Sequence, residues 1–246
     1  MRSAPGVHRP ARLPRPQTGK DGIGVNKTVI GFDMDGVLLD SDDFSPGGWI
    51  VEAFMRTLRD FGIPETEENA KRLYIANLRR EGERFCAEFG IPDVKTLWAQ
   101  REHNYLAGKL AAIESGRVTL FPDVAAVEEL AREYPLAIVS NSPQEIVDLV
   151  VDKFSLDRLF RLWIGRGHDW EGLDFVKPAP HQLQRMMEEL GADRGYYVGD
   201  QPDDGTAARA AGLIPILLDR SGADGDIRSL YELPEFIARH APLPQE

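Results

Sequence analysis

The chain has 246 residues, enough for one substantial core with a smaller insertion. With 42% hydrophobic and 28% charged residues, and no apolar run near the roughly 18 residues that span a bilayer, a globular protein without a membrane partner is expected. Residues 1–26 carry five Arg or Lys against one Asp, so of the net charge of -11 the remainder holds -15, which argues against nucleic acid as a partner.

The opening "MRSAPGVHRPARLPRPQTGKDGIG" is rich in Pro, Arg and Gly and has no signal-peptide core, so residues 1–26 read as a disordered, dispensable leader. From Lys27, apolar runs of strand length alternate with helical periodicity. That is the pattern of an α/β, doubly wound, Rossmann-like parallel sheet. The first run, "VIGFDMDGVLLDS", ends a buried strand on Asp33 and Asp35. Two carboxylates leaving a buried strand together lose hydration and repel one another, so the pair calls for a cation.

Residues 44–116 break the alternation and read as continuous helix inserted after the first strand. Trp49, Ile50, Ala53, Phe54, Leu58 and Phe61 share one face, and Trp98, Leu106, Leu110 and Ile113 share a later one. Within it, "NLRREGERF" groups Arg79, Arg80 and Arg84, the last two at i,i+4 spacing. These arginines either pair with Glu81, Glu83 and Glu88 on a solvated surface, or turn one guanidinium to a crevice where it binds an anionic group of a substrate. The insertion's lysines, Lys71, Lys95 and Lys109, stand in no telling context. Cys86, alone in the chain, excludes an internal disulfide or a multi-cysteine zinc site, fits a reducing cytoplasm, and is expected to be a packed helix residue.

From residue 117 the α/β pattern resumes, with helices beginning near Pro122, Pro143, Pro180 and Thr206. They alternate with the strands "LAIVSN", "LFRLWIG", "GYYVGD" and "IPILLD". Ser140, Asn141 and Asp200 close two of these strands, and in open parallel sheets the carboxyl ends face the binding crevice. The approach to Lys177, "GRGHDWEGLDFV", reads as a long aromatic loop in which His168 and Trp170 are exposed, contact with substrate being the alternative. His103 and His181 read as helix-surface or core residues, and no histidine pair has metal spacing.

Four polar signals stand in order: "DMDGV" at 33–37, "IVSNS" at 138–142, "VKPAP" at 176–180 and "YVGDQPDD" at 197–204. Together they resemble the four motifs of the haloacid-dehalogenase-like hydrolase superfamily, and the helical insertion is similar to the cap of its phosphoglycolate-phosphatase-like branch. The resemblance covers about residues 27–220 and includes "LFPDV" and "DDGTAARAAGL". It implies a core over residues 27–43 and 117–246, a helical cap over 44–116, and a magnesium-dependent phosphatase acting on a small phosphorylated metabolite. It also implies that Asp33 attacks phosphorus to give an aspartyl-phosphate, while Asp35 protonates the leaving alcohol and later takes a proton from water. Ser140 would bond a phosphoryl oxygen, Lys177 would neutralise another while holding the nucleophile, and Asn141 would assist through its backbone. Mg2+ would be held by Asp33, Asp200, Asp204 and the Asp35 carbonyl, with Asp203 as an alternative to Asp204.

Two other readings share these residues. A phosphomutase of the β-phosphoglucomutase type uses the same core, and a receiver-like or catalytically silent phospho-ligand-binding protein would keep the fold without turnover. A dehalogenase is disfavoured because Asp35 is present, and a phosphonate-cleaving enzyme because it would need a cap lysine placed to form an imine.

Overall fold

The computed structural model describes residues 28–41 and 47–240; the leader over 1–26 lies outside the described residues. Strand β1 (Thr28–Phe32) is buried along its whole length, as expected of a strand covered on both faces. It sits at the centre of a five-stranded sheet with β4 (Leu136–Pro143) and β5 (Leu162–Arg166) on one side, and β6 (Arg194–Gly199) and β7 (Ile214–Leu217) on the other. All neighbouring pairs are parallel. Because side chains alternate along a strand, Ile30 and Phe32 enter one core with Val147, Val150 and Phe160, while Val29 enters a second with Leu183, Met186 and Ala207. The strand order reverses beside β1, so the crevice opens at the carboxyl ends of β1, β4 and β6.

Helices α5 (Val127–Glu133), α6 (Gln144–Lys153), α7 (His181–Glu189) and α8 (Pro202–Ala210) alternate with these strands, and α9 (Leu233–His240) follows β7. The helix expected near Pro122 begins there as a 3₁₀ turn, Pro122–Ala126, before α5. The helix expected near Thr206 begins four residues earlier, because Pro202 occupies its first turn and Gln201 with Asp204 forms a capping box. This correction matters chemically: it puts Asp203 and Asp204 on the first turn of α8.

Between β2 (Leu39–Asp40) and β3 (Thr119–Leu120), which pair antiparallel, lies the insertion. It comprises α1 (Trp49–Asp60), α2 (Glu67–Lys71), α3 (Ile75–Phe89) and α4 (Val94–Glu114), which corrects the expectation of continuous helix. Gly62 after α1 and Gly90 after α3 adopt φ of +67° and +70°, a left-handed conformation that ends a helix, and Pro64 and Pro92 follow each. The predicted apolar face of α1 is buried at Trp49, Ile50, Ala53, Phe54 and Leu58, and α1 packs on α4, where Trp49 meets Tyr105 with ring centroids 5.2 Å apart. Cys86 is buried in α3 as expected, and burial pushes its thiol pKa up, away from reactivity. No helix among the described residues is long and apolar enough to cross a membrane.

Candidate active site

Asp33 leaves β1 with its amide bonded to the Val198 carbonyl at 2.8 Å, so the strand ladder itself fixes where this carboxylate begins. The chain then turns tightly, the Leu38 and Leu39 amides both donating to the Met34 carbonyl. Gly36 makes the turn possible. Its φ is +77°, and a Cβ there would lie 2.4 Å from an Asp200 carboxylate oxygen, so the turn and the end of β6 approach closely because this residue has no side chain.

The structure brings Asp33, Asp35, Ser140, Asn141, Lys177, Asp200, Asp203 and Asp204 around one crevice of about 300 Å³, together with Ile75 and Tyr105 of the insertion. Lys177, almost fully buried, places its ammonium 2.9 Å from Asp33 Oδ1 and 2.7 Å from Asp204 Oδ1. Its third donor goes to the Tyr197 hydroxyl at 2.7 Å, which in turn donates to the Val139 carbonyl. Tyr197 was missed in the sequence, where it reads only as an apolar strand residue. The Asn141 side chain has a role the sequence did not suggest: Oδ1 accepts from the Lys177 amide and Nδ2 donates to the Lys177 carbonyl. This two-way clamp holds the loop that carries Lys177. Ser140 Oγ accepts from the Ser142 amide at 3.0 Å, where the register between β4 and β5 shifts and the strand end opens to the crevice.

Oxygens of Asp33, Asp200 and Asp204 lie within 4.8 Å of one another. Asp204 Oδ2 accepts from the amides of Asp200 and Gln201, so the capping box of α8 orients it. Asp203 lines the same crevice but is exposed. Burial pushes the Asp33 carboxyl well above its usual range; Lys177 opposes this, while Asp204 and Asp200 push it further up. The group is short of positive charge.

Asp35 is held differently. Its Oδ1 accepts from the Ser41 hydroxyl at 2.6 Å and its Oδ2 from the Ser142 hydroxyl at 2.8 Å. The Lys109 ammonium lies 2.5 and 2.6 Å from the two oxygens. Burial alone would raise the Asp35 carboxyl, but Lys109 and these hydrogen bonds outweigh it and hold the group below its ordinary value. The expectation that no insertion lysine has a telling context is therefore corrected. Lys109 lies 74 residues from Asp35 in sequence, and only the crossing of α4 over the crevice reveals the contact. The same pairing raises the Lys109 pKa against the effect of burial, so its nitrogen is kept as an ammonium without the lone pair that imine formation needs.

None of the three arginines of α3 lines the crevice. Arg79 donates to the Leu173 carbonyl and pairs with Asp174 at 2.5 Å, and Arg80 pairs with Asn77 and Glu81. Arg84 is exposed. Helical spacing showed correctly that Arg80 and Arg84 share a face, but that face points to solvent. Arg80→Ala and Arg84→Ala should thus change stability by about 0.5 kcal/mol or less and leave kcat/KM unaltered for anionic and neutral phosphate esters alike; a selective loss on the anionic ester would restore them to the site.

The aromatic loop before Lys177 packs on the insertion. Trp98 of α4 donates to the His168 carbonyl at 2.6 Å and meets Trp170 with ring centroids 5.8 Å apart, while Lys95 pairs with Glu171. Beneath it, Arg166 at the end of β5 binds Glu102 of α4 at 2.5 Å in a buried pair. His168 itself binds Glu145 at 2.7 Å. His168 and Trp170 thus face the insertion and not the crevice, and His103 and His181 are exposed on helices.

A family model described as haloacid dehalogenase-like hydrolase matches residues 27–212. The chain is 26% identical over 204 residues to a phosphoglycolate phosphatase of Haemophilus influenzae, covering 76% of this chain and 84% of that one. It is 29% identical over 239 residues to a plasmid phosphoglycolate phosphatase of Cupriavidus necator, covering 87% and 96%. Among solved structures, a predicted phosphoglycolate phosphatase from Haemophilus somnus superposes with a TM-score of 0.62 at 22% identity, over 86% of this chain and 99% of that one; at that identity the likeness speaks for the fold. With the sheet order, the placement of the carboxylates at its carboxyl edge and a family match over most of its length, the chain belongs to the haloacid dehalogenase-like hydrolases.

Proposed function

We propose that the chain is a magnesium-dependent, cytoplasmic phosphatase that hydrolyses a small phosphorylated metabolite through an aspartyl-phosphate, with residues 44–116 as its cap. The observation that carries this reading is the buried Lys177 ammonium bridging Asp33 and Asp204 beside Asp200, at the carboxyl edge of the sheet. In-line phosphoryl transfer needs a fixed nucleophile, positive charge on the phosphoryl oxygens and a proton for the leaving oxygen.

Asp33 Oδ1 binds the Met34 amide at 2.7 Å and Lys177 at 2.9 Å, which fixes the carboxylate plane; Oδ2 is the oxygen assigned to attack. As the Oδ2–P bond forms, the P–O bond to the leaving group breaks and that oxygen takes its proton from Asp35, which Lys109 holds ionised in the free chain and which first takes a proton from the solvent it partly faces. Water then attacks the phosphorus of the aspartyl-phosphate, passing its proton to Asp35 as the bond to Asp33 breaks. Ser140, whose hydroxyl accepts from the Ser142 amide and keeps its own proton to give, would donate to a phosphoryl oxygen, and the Lys177 ammonium would offset phosphoryl charge from beside Asp33, donating directly only as one of its bonds to Asp204 or Tyr197 turns over. The residues present fit a hard divalent cation, because an all-carboxylate group is countered within the cluster by Lys177 and is short of positive charge. Mg2+ held by Asp33, Asp200, Asp204 and the Asp35 carbonyl would supply charge to offset the phosphoryl group.

The printed names of the relatives make 2-phosphoglycolate the first ester to test. Phosphate release from a panel of phosphorylated metabolites, with magnesium and with chelator, tests the proposal; no release from any ester would remove it. Within that assay, Asp35→Asn should slow hydrolysis of alkyl phosphates by roughly 10²–10⁴-fold while keeping much of the cation site, since the Asp35 carbonyl is untouched by the change; because the buried Lys109 ammonium loses its carboxylate partner, a thermal melt accompanies the rate. A rate within a few-fold of the parent would deny Asp35 its role.

A further inference from the structure

Lys109 is the best-buried cation that the insertion offers to the crevice region, and the proposed mechanism does not use it. Its side chain is 1% exposed, whereas that of Asp35 is 24% exposed, so Lys109 stands behind Asp35 and meets the crevice through the residues that line it, Asp35 first. An ammonium has three donors. Here they meet Asp35 Oδ1, Asp35 Oδ2 and Ser142 Oγ, at 2.5, 2.6 and 2.9 Å. The rings of Trp49 and Tyr105, 5.7 and 5.8 Å from the nitrogen, wall it in.

We propose that Lys109 is a positioning residue for Asp35: carried by the insertion, it fixes the carboxylate plane for proton transfer. This rests on the phosphatase reading above. Ser41 and Ser142 take the second position on the two Asp35 oxygens, and a hydroxyl can rotate its proton away to free one oxygen to carry the proton that passes to the leaving oxygen. Lys109 keeps hold of both oxygens meanwhile. A carboxylate held through one oxygen could swing about its side-chain torsions; gripped from behind through both, it presents the same edge at each turnover. The competing account is that Lys109 only neutralises a buried acid and ties α4 to the sheet.

Leaving-group chemistry separates the two. An alkoxide must be protonated as it departs, whereas p-nitrophenolate is stable without a proton. Lys109→Met preserves length and packing, and Asp35, being reachable by solvent, is not stranded by the change. If Lys109 acts through Asp35, Lys109→Met lowers kcat for 2-phosphoglycolate by about 10²-fold with little effect on p-nitrophenyl phosphate, Asp35→Asn shows the same selectivity, and the double variant is no slower than Asp35→Asn alone. Thermal melts of each variant check folding. Should Lys109→Met fail to fold, Lys109→Gln, which retains a neutral donor, carries the same comparison. Equal losses on both esters, or a double variant slower by the product of the single effects, overturns the proposal while leaving the phosphatase reading intact. A parent chain that releases phosphate from neither ester overturns both.

Discussion

Asp33→Asn is expected to remove turnover, by about 10⁴-fold or more, and to leave the fold intact. The amide matches the carboxylate in shape but is a far poorer nucleophile, and of the carboxylates nearby Asp35 is held by Lys109 and Asp204 by Lys177 and the start of α8. Stability should not suffer in the metal-free protein. Lys177 loses one charged partner yet keeps Asp204 and the Tyr197 hydroxyl, and the variant is relieved of a carboxylate that burial, Asp204 and Asp200 push toward neutrality. Two measurements decide the matter. Quenched-flow labelling should trap an acyl-phosphate, cleavable by hydroxylamine, in the parent and none in Asp33→Asn. The melting temperature of the variant should equal or exceed that of the parent without metal. Substantial activity in a folded Asp33→Asn variant would assign the nucleophile elsewhere.

The constellation was legible where chemistry coincided with a strand end. Asp33 and Asp200 each follow an unbroken apolar run, and a charged residue at such a boundary has few places to go but the crevice. Lys177 was legible by its motif, although what holds it was not. Tyr197 lies within a strand and looks apolar there; its hydroxyl acquires a role only because β4 and the Lys177 loop converge on it. Lys109 was illegible for a different reason. Periodicity assigns it to a helix, but which helix face meets the sheet depends on how α4 packs against α1, a long-range matter. Spacing likewise fixes a shared face for arginines of α3 and not its direction, so it left both of their readings open. The division of the insertion was readable at Gly62 with Pro64 and Gly90 with Pro92, but strong apolar periodicity on both sides disguised these short turns as continuous helix.

Removal of metal should have an effect as large as loss of the nucleophile and can be read in two independent ways. The cluster places three carboxylates within 4.8 Å of one another around the Lys177 ammonium. A divalent cation that relieves this crowding binds the folded chain and not the unfolded one, so it must stabilise. At a concentration 100 times its Kd the gain is about 2.7 kcal/mol, which for a domain of this size raises the melting temperature by roughly 5–10 °C. Magnesium should therefore raise the melting temperature of the parent, and a chelator should reverse the shift and abolish phosphate release together. Asp200→Ala tests the assignment further. Lys177 gives its donors to Asp33, Asp204 and Tyr197, so removal of the Asp200 carboxylate should leave the Asp33 geometry in place while weakening the cation site; both the thermal shift and the activity should then demand far more magnesium. Calcium, which takes more oxygen ligands at longer distances, should produce a thermal shift without supporting turnover. A parent chain whose rate and melting temperature ignore both chelator and magnesium would require the carboxylates to be balanced by protonation and Lys177 alone, and the metal assignment would have to be withdrawn.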